Sequence, residues 1–351
     1  MNPTSALPVT PRPLPESGLA FVLPGHNDLP TGGNLFNRHL LAALRARGLS
    51  IREVDSAAFA AHPPSKTAFV DSLLLDALHD YLPVAPPSPS LFLILHLLPS
   101  MLHDLPKPVR LRLLDRERFV LTRLNGVLVT SDFSRDYLTR VHHFTKPILV
   151  VRPALVITPG GARASREGFH GLIVSNLVRS KGLREFLGAF GEELLPRDKL
   201  ELVIAGRADM EPDYAQSCLR LIRERPSLSS RVRHAGAMQP EQLQMLYSQS
   251  TVFISAAPME TYGMALAEAR AFGLPILACN GGNVRAHVDH GINGWLWDSP
   301  QELAQACVRL SRRQEELQWL AAGALSRIPQ DHYTWDNAAT SFITQLRAAQ
   351  T

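Results

Sequence analysis

Two glutamates eight residues apart, Glu260 and Glu268 in Pro-Met-Glu-Thr-Tyr-Gly-Met-Ala-Leu-Ala-Glu-Ala, are the residues of this chain best placed by type and spacing to do chemistry. The apolar run 252–255 ahead of them reads as a strand, and the segment after Gly263 as a helix running towards Gly273. Glu260 then falls in the loop leaving the strand and Glu268 about two turns into the helix. At about 3.6 residues per turn, both carboxylates can face one opening. Between them, Gly263 and the backbone N–H groups beside it form a helix N-terminus, a ready site for a phosphate. The same two acids read equally well as a solvated helix face, so their meaning depends on what surrounds them.

The elements that would position them form a regular alternation of apolar runs and helical periods, the pattern of a parallel sheet covered on both faces. In the first half strands are expected at 19–23, 51–54, 91–95, 127–130 and 148–151. Phe36, Leu40 and Leu44 recur at four-residue spacing, which makes 34–47 an amphipathic helix ended by Gly48. The second half repeats the scheme with strands at 172–175, 200–205, 231–234, 252–255 and 276–278. Two doubly wound α/β domains follow, joined by a segment containing Pro153, Pro159, Gly160 and Gly161. The expected division is a Pro-rich tail at 1–18, a first Rossmann-like domain at 19–152, a linker at 153–168 and a second Rossmann-like domain at 169–328. Residues 329–351 then carry a last helix, 335–346, with an apolar stripe of Ala338, Ala339, Phe342, Ile343 and Leu346. Ligands of such sheets sit at the carboxyl ends of strands, so the cleft between the domains is the expected site.

Length and composition agree. A chain of 351 residues exceeds one ordinary core. The formal charge of +4 is mild and spread over both halves, without the basic stripe of a nucleic-acid binder. Cys218, Cys279 and Cys307 are odd in number and far apart, which argues against a disulfide framework or a zinc site and fits a reducing, cytoplasmic setting. The longest apolar stretch, 91–102, is broken by His96 and Pro99 and is too short to span a bilayer. Residues 107–123 carry six basic and two acidic residues together with Leu111, Leu114, Val120 and Leu121. They read as an exposed helix covering the first sheet, or as a surface for an anionic membrane at the inner face.

The stretch from Thr251 to Trp297 resembles the donor-binding region of the family 4 glycosyltransferases of GT-B fold. The resemblance is carried by the Glu-x7-Glu pair, Ala-Phe-Gly273-Leu-Pro275, Gly281-Gly282-Asn283 and Gly291-Ile-Asn-Gly294. Lys181-Gly182 after a strand and Gly206 closing the next lie upstream in the family's order. Thr31-Gly32-Gly33-Asn34, His96 and Val129-Thr-Ser131 extend the likeness over nearly all the chain except the first 18 residues. The resemblance implies two Rossmann-like domains facing across a cleft, with the C-terminal helix crossing back to the first. It further implies retaining transfer of a hexose-type sugar from a UDP- or GDP-sugar to an acceptor hydroxyl of a glycan, a lipid or a small molecule.

By that resemblance, Lys181 contacts the donor phosphates, Glu268 accepts hydrogen bonds from the ribose hydroxyls and Glu260 faces the transferred sugar, with His96 near the sugar or acceptor. Residues Thr261, Tyr262, Gly263, Met264 and Ala265 would offer backbone N–H groups to the sugar and the distal phosphate. Gly32 and Gly33 would let backbone approach the phosphates, or simply turn the chain into a helix capped by Thr31 or Asn34. The physical chemistry agrees, since a departing diphosphate gathers charge and needs cations and aimed donors. A lysine at a helix start is otherwise mildly misplaced against the dipole. One departure stands out. Five residues before Lys181 the family usually places an Arg, and here that position is Asn176, so that Arg179, Arg207 or backbone amides must supply what it would give. The chain lacks an Asp-x-Asp element, so no metal and no other cofactor is expected. Two further readings stay open: a nucleotide-sugar 2-epimerase of the same fold, and a noncatalytic nucleotide-sugar-binding partner subunit.

Overall fold

A computed structural model describes residues 18–25, 29–56, 59, 66–83, 90–102, 105–160, 166–330 and 332–350. The Pro-rich tail up to residue 17, and Gly161 of the linker, lie outside the described residues. Twelve strands among them form two six-stranded sheets, parallel throughout.

The first sheet contains β1 (Leu19–Leu23), β2 (Ile51–Asp55), β3 (Thr67–Asp71), β4 (Ser90–Leu95), β5 (Gly126–Val129) and β6 (Ile148–Val150), in the order β2-β1-β3-β4-β5-β6. Its inner strands are buried along nearly their whole length, because helices cover both faces and leave no polar side to alternate with. That explains a strand the sequence reading missed. Thr67–Asp71 is five residues, all buried, without alternation, and it inserts between β1 and β4. His96 therefore follows the fourth strand and not the third.

The second sheet contains β7 (Phe169–Val174), β8 (Leu200–Ala205), β9 (Val232–Gly236), β10 (Val252–Ser255), β11 (Ile276–Cys279) and β12 (Gly294–Trp297), ordered β12-β11-β10-β7-β8-β9. The short strand β12 was also not anticipated; it appears in the sequence only as the apolar pair after Gly294. The parallel strands are added to one side from β7 to β9 and to the other from β10 to β12, so the strand order reverses between β7 and β10 and a crevice opens at their carboxyl ends. The loops that carry Asn176 and Glu260 leave from those two strands.

Helix Gly32–Ala46 starts two residues earlier than its apolar period suggests. Thr31 is the cap, its Oγ1 accepting from Asn34 N at 3.2 Å, so Gly32 and Gly33 lie inside the first turn. Gly48, at φ +83°, ends it. Helix Trp335–Ala349 crosses back and buries Ala338, Ala339, Phe342 and Leu346 against the first sheet. The Phe342 ring centroid lies 5.0 Å from that of Phe69 and 6.1 Å from that of Phe21. Gln345 both donates to and accepts from the Val150 backbone at 2.8 Å, and Arg47 grips Asp336 through two contacts of 2.6 Å. The last helix is thus part of the first domain's core.

Helix Lys107–Leu121 lies over the first sheet. Val120 and Leu121 are buried in its core, and of its large apolar side chains only Leu111 is markedly exposed. Arg116 pairs with Asp76, Arg118 reaches the Val141 carbonyl, and Arg123 stacks on Phe119. Those partners favour the covering-helix reading over a membrane-facing one. No described helix is long and apolar enough to cross a membrane.

Candidate active site

Two cavities, each of about 540 Å³, open side by side between the sheets and share Gly32, Lys181, Glu260, Gly263 and Met264 as their common border. Into this border the loop after β10 projects Glu260. The loop is braced on three sides. Behind it, the Gly281-Gly282-Asn283 turn is pressed so close that a Cβ on Gly281 would sit 1.9 Å from the Pro258 carbonyl oxygen. Gly282 takes φ +67°, and Asn283 N donates to the Glu260 carbonyl at 2.7 Å. That turn therefore holds the loop that carries the acid. Beside it, His287 Nε2 donates to the Tyr262 carbonyl at 2.7 Å; burial lowers this imidazole to about 4, so it stays neutral near pH 7. In front, Ser131 Oγ of the first domain donates to the Thr261 carbonyl, Tyr262 Oη donates to the Pro153 carbonyl at 3.1 Å, and Met259 packs against the first domain's core.

Lys181 meets Glu260 directly, Nζ to Oε1 at 2.6 Å. Lys181 ends the short turn Arg179–Lys181, and Gly182 follows at φ +63°. A Cβ at Gly182 would lie 2.5 Å from the Ala256 carbonyl oxygen, so only glycine lets the chain turn here and aim the lysine. An ammonium has three donors, so Lys181 can hold Glu260 and a second anion at once.

Glu268 lies just over one turn into helix Met264–Ala271, nearer its start than the sequence suggested, and its carboxylate is nearly buried. Tyr247 Oη donates to Oε2 at 2.9 Å and Ile157 N to Oε1 at 3.3 Å. Burial pushes this carboxyl up to about 7, against the hydrogen bonds from Tyr247 and from the Ile157 and Val156 amides. The two acids therefore differ: Glu260 borders both cavities, whereas Glu268 lines the second alone.

His96 lines the first cavity, together with Thr130, Arg179 and Glu211. Gly33 is glycine for a reason the sequence did not show, since a Cβ there would sit 2.8 Å from His96 Cδ2. Gly32 is more open, its nearest such contact being Met264 Sδ at 3.8 Å. The first N–H groups of helix Met264–Ala271 have no partner within the helix.

Around Asn176 the structure is specific. Its Oδ1 accepts from Arg207 N at 3.0 Å and its Nδ2 lies 3.2 Å from Met210 Sδ, so this side chain ties together the loops after β7 and β8. Arg207 lines the second cavity, but its guanidinium is clamped by both oxygens of Asp209. Arg179 lines the first cavity, with its guanidinium carbon 5.5 Å from the Tyr214 ring centroid. The cation that sequence reasoning missed is Arg38, which reaches the second cavity from the first domain's opening helix. Its place seven residues after Thr31, on the helix that opens with the two glycines, was the available signal. Tyr247, Asn283 and His287 were also missed as functional supports, because their partners lie 21 to 25 residues away.

Comparison with known proteins bears on the same parts. Residues 168–313 match the family described as Glycosyl transferases group 1. D-inositol 3-phosphate glycosyltransferase of Corynebacterium urealyticum is 28% identical over 221 residues, covering 58% of this chain and 52% of that protein. The chain spans about half the length of the curated relatives it matches. Among solved structures, sucrose-phosphate synthase from Thermosynechococcus elongatus aligns with TM-score 0.76 at 19% identity, covering 94% of this chain and 98% of that one. Anabaena HepE, solved in complex with UDP and glucose, aligns with TM-score 0.69 at 16% identity, covering 94% and 99%. At such identities the likeness is one of fold, and it is the GT-B arrangement of two facing Rossmann-like domains. Residues 168–313 accordingly match the glycosyl transferases group 1 family, and the chain as a whole has the two-domain GT-B fold.

Proposed function

We propose that this protein is a retaining glycosyltransferase that moves a hexose-type sugar from a UDP- or GDP-sugar to an acceptor hydroxyl, without a metal ion. The observation that carries the reading is the Lys181–Glu260 pair at the shared border of the two cavities. The second cavity, lined by the 237–240 loop and by Glu268, takes the base and ribose. The first, lined by His96 and Thr130, takes the sugar and the acceptor. The diphosphate then lies at the border, where Lys181 and the N-terminus of helix Met264–Ala271 meet the charge that gathers as the sugar–phosphate bond breaks. Lys181 also stands between Glu260 and the phosphates, which would otherwise repel each other. Two neighbouring structures with UDP-glucose or UDP in their descriptions support the uridine donor. The protein acts at the cytoplasmic side, with no nucleic-acid partner.

A thermal-shift screen of nucleotide sugars tests the reading, because a bound donor stabilises the folded state by mass action. One donor should raise Tm well above the rest. No shift with any nucleotide or nucleotide sugar would refute the proposal. The engaged side chain of Asn176 favours one alternative, a binding subunit without turnover. Donor hydrolysis that disappears in Glu260→Ala and persists in a surface variant excludes that alternative.

A further inference from the structure

A second polar network lies at the carboxyl ends of β3 and β4, outside the Lys181–Glu260 pair. Asp71, the last residue of β3, is fully buried. Its Oδ1 accepts from Leu73 N at 2.8 Å and its Oδ2 from Asn37 Nδ2 at 2.6 Å. A carboxylate only accepts, so these contacts orient the Asn37 amide: nitrogen towards Asp71, oxygen towards His96. Asn37 Oδ1 lies 3.1 Å from His96 Nε2, and Asp71 Oδ2 lies 3.4 Å from the same nitrogen. Two acceptors facing one ring nitrogen require that it carry the proton, because its lone pair would otherwise point at both oxygens.

Burial by itself would raise the Asp71 carboxyl, but the hydrogen bond from His96, the pull of that ring's positive charge when it is protonated, and the bonds from Leu73 and Asn37 outweigh it and hold the group below its ordinary range. The acceptor therefore stays charged at neutral pH. The ring has little freedom to turn away. Its Cδ2 lies against Gly33, where even a methyl group would meet it at 2.8 Å, Phe36 stands edge-on at 5.6 Å between centroids, and His96 N donates to Ser72 Oγ at 3.1 Å. Among the described residues none bonds Nδ1, and the side chain borders the first cavity.

We propose that Asp71 and Asn37 are positioning residues that lock His96 as its Nε2–H tautomer, so that Nδ1 is offered to the first cavity as an acceptor for a substrate hydroxyl. The substrate part rests on the nucleotide-sugar reading of the cleft; the tautomer does not. A lone pair held in that direction orients a hydroxyl that must enter one way round. The opposite tautomer would turn an N–H towards the cavity and leave two buried oxygens facing a lone pair.

The test is ¹⁵N NMR of the imidazole rings in the full-length chain, with the His96 signals assigned by His96→Gln. The expected result is a protonated Nε2 and an unprotonated Nδ1 in the unmodified protein. In Asp71→Asn the two tautomers should mix, because an amide can present a donor where the carboxylate could only accept. With the donor found by thermal shift, kcat should fall about tenfold or more in Asp71→Asn. Donor Kd should stay within about twofold, and the loss should vanish in the His96→Gln background. A protonated Nδ1 in the unmodified protein, or unchanged ring signals in Asp71→Asn, overturns the proposal. So does an equal loss of kcat with and without His96, which would mark Asp71 as a purely structural group. The unmodified protein's tautomer needs no change at Asp71, so the proposal stays falsifiable if that variant does not fold. If no nucleotide sugar supports turnover, the cleft reading fails while the tautomer stands or falls on the spectra.

Discussion

Replacing Glu268 by Gln should remove a titration from the fold, and the size of the effect follows from the structure. The carboxyl is nearly buried, with donors from Tyr247 and Ile157, and burial raises it from an ordinary 4.5 to about 7. One pKa unit is worth about 1.4 kcal/mol, so the gap corresponds to about 3 kcal/mol. The sign is that of an acid raised by folding. Between about 4.5 and about 7 the folded protein holds a proton that the unfolded chain has released, so stability falls as pH rises through that window and levels off above it. Below the window both states are protonated and nothing is lost. A glutamine has the same shape and does not titrate, so the variant should gain on the unmodified protein by about 3 kcal/mol from pH 4.5 to pH 7. Urea unfolding of the two proteins side by side measures this difference, and titrations they share cancel. Trp295, Trp297 and Trp319 lie in the second domain and Trp335 on the helix packed against the first, so with Trp335→Phe in both proteins tryptophan fluorescence follows the part that holds Glu268. A difference constant across the window to within about 0.5 kcal/mol would refute the argument.

Four other outcomes are expected. Lys181→Ala should cost about 1.5–3 kcal/mol of donor affinity, roughly tenfold to a hundredfold, by calorimetric titration. Against that reference, Glu268→Ala should mainly weaken donor binding and Glu260→Ala mainly slow transfer; losses of equal kind in both would break the assigned division. Gly33→Ala puts a methyl group 2.8 Å from His96 Cδ2 inside a helical first turn. The held His96 ring must shift to admit that group, and the up to about 1 kcal/mol by which alanine favours helix offsets only part of the cost, so Tm should hold or fall while turnover drops; unchanged turnover would show that the His96 position is not critical. Phe342→Ala, which opens a hole between Phe21 and Phe69, should cost about 3–5 kcal/mol, seen as early melting of the first domain. Unfolding of the first domain at an unchanged temperature would mean the last helix is only appended to it.

The strands that were legible in the sequence are those whose apolar runs are bounded by turn residues, such as 19–23, 200–205 and 252–255. Thr67–Asp71 escaped because a strand buried on both faces shows no alternation, and β12 because four residues carry too little pattern. The order of the strands was not legible at all. Nothing local in 67–71 says that it lies between β1 and β4, yet that insertion brings Asp71 to the foot of His96.

Residue types and spacings gave a two-domain parallel fold, and their resemblance to a glycosyltransferase family marked Glu260, Glu268, Lys181, His96 and the two glycines after Thr31 as one site. They could do so because helix starts, strand ends and tight turns each impose their chemistry within a few residues of chain. Tertiary structure decided what each residue does there. It paired Lys181 with Glu260 across 79 residues and buried Glu268 against Tyr247. Packing also spent Asn176 on the loops beside it and set Asp71 and Asn37 behind His96. Those contacts join segments that only the folding of two sheets brings together, and the distance, burial and donor count that set the charge and direction of each group exist only after that packing.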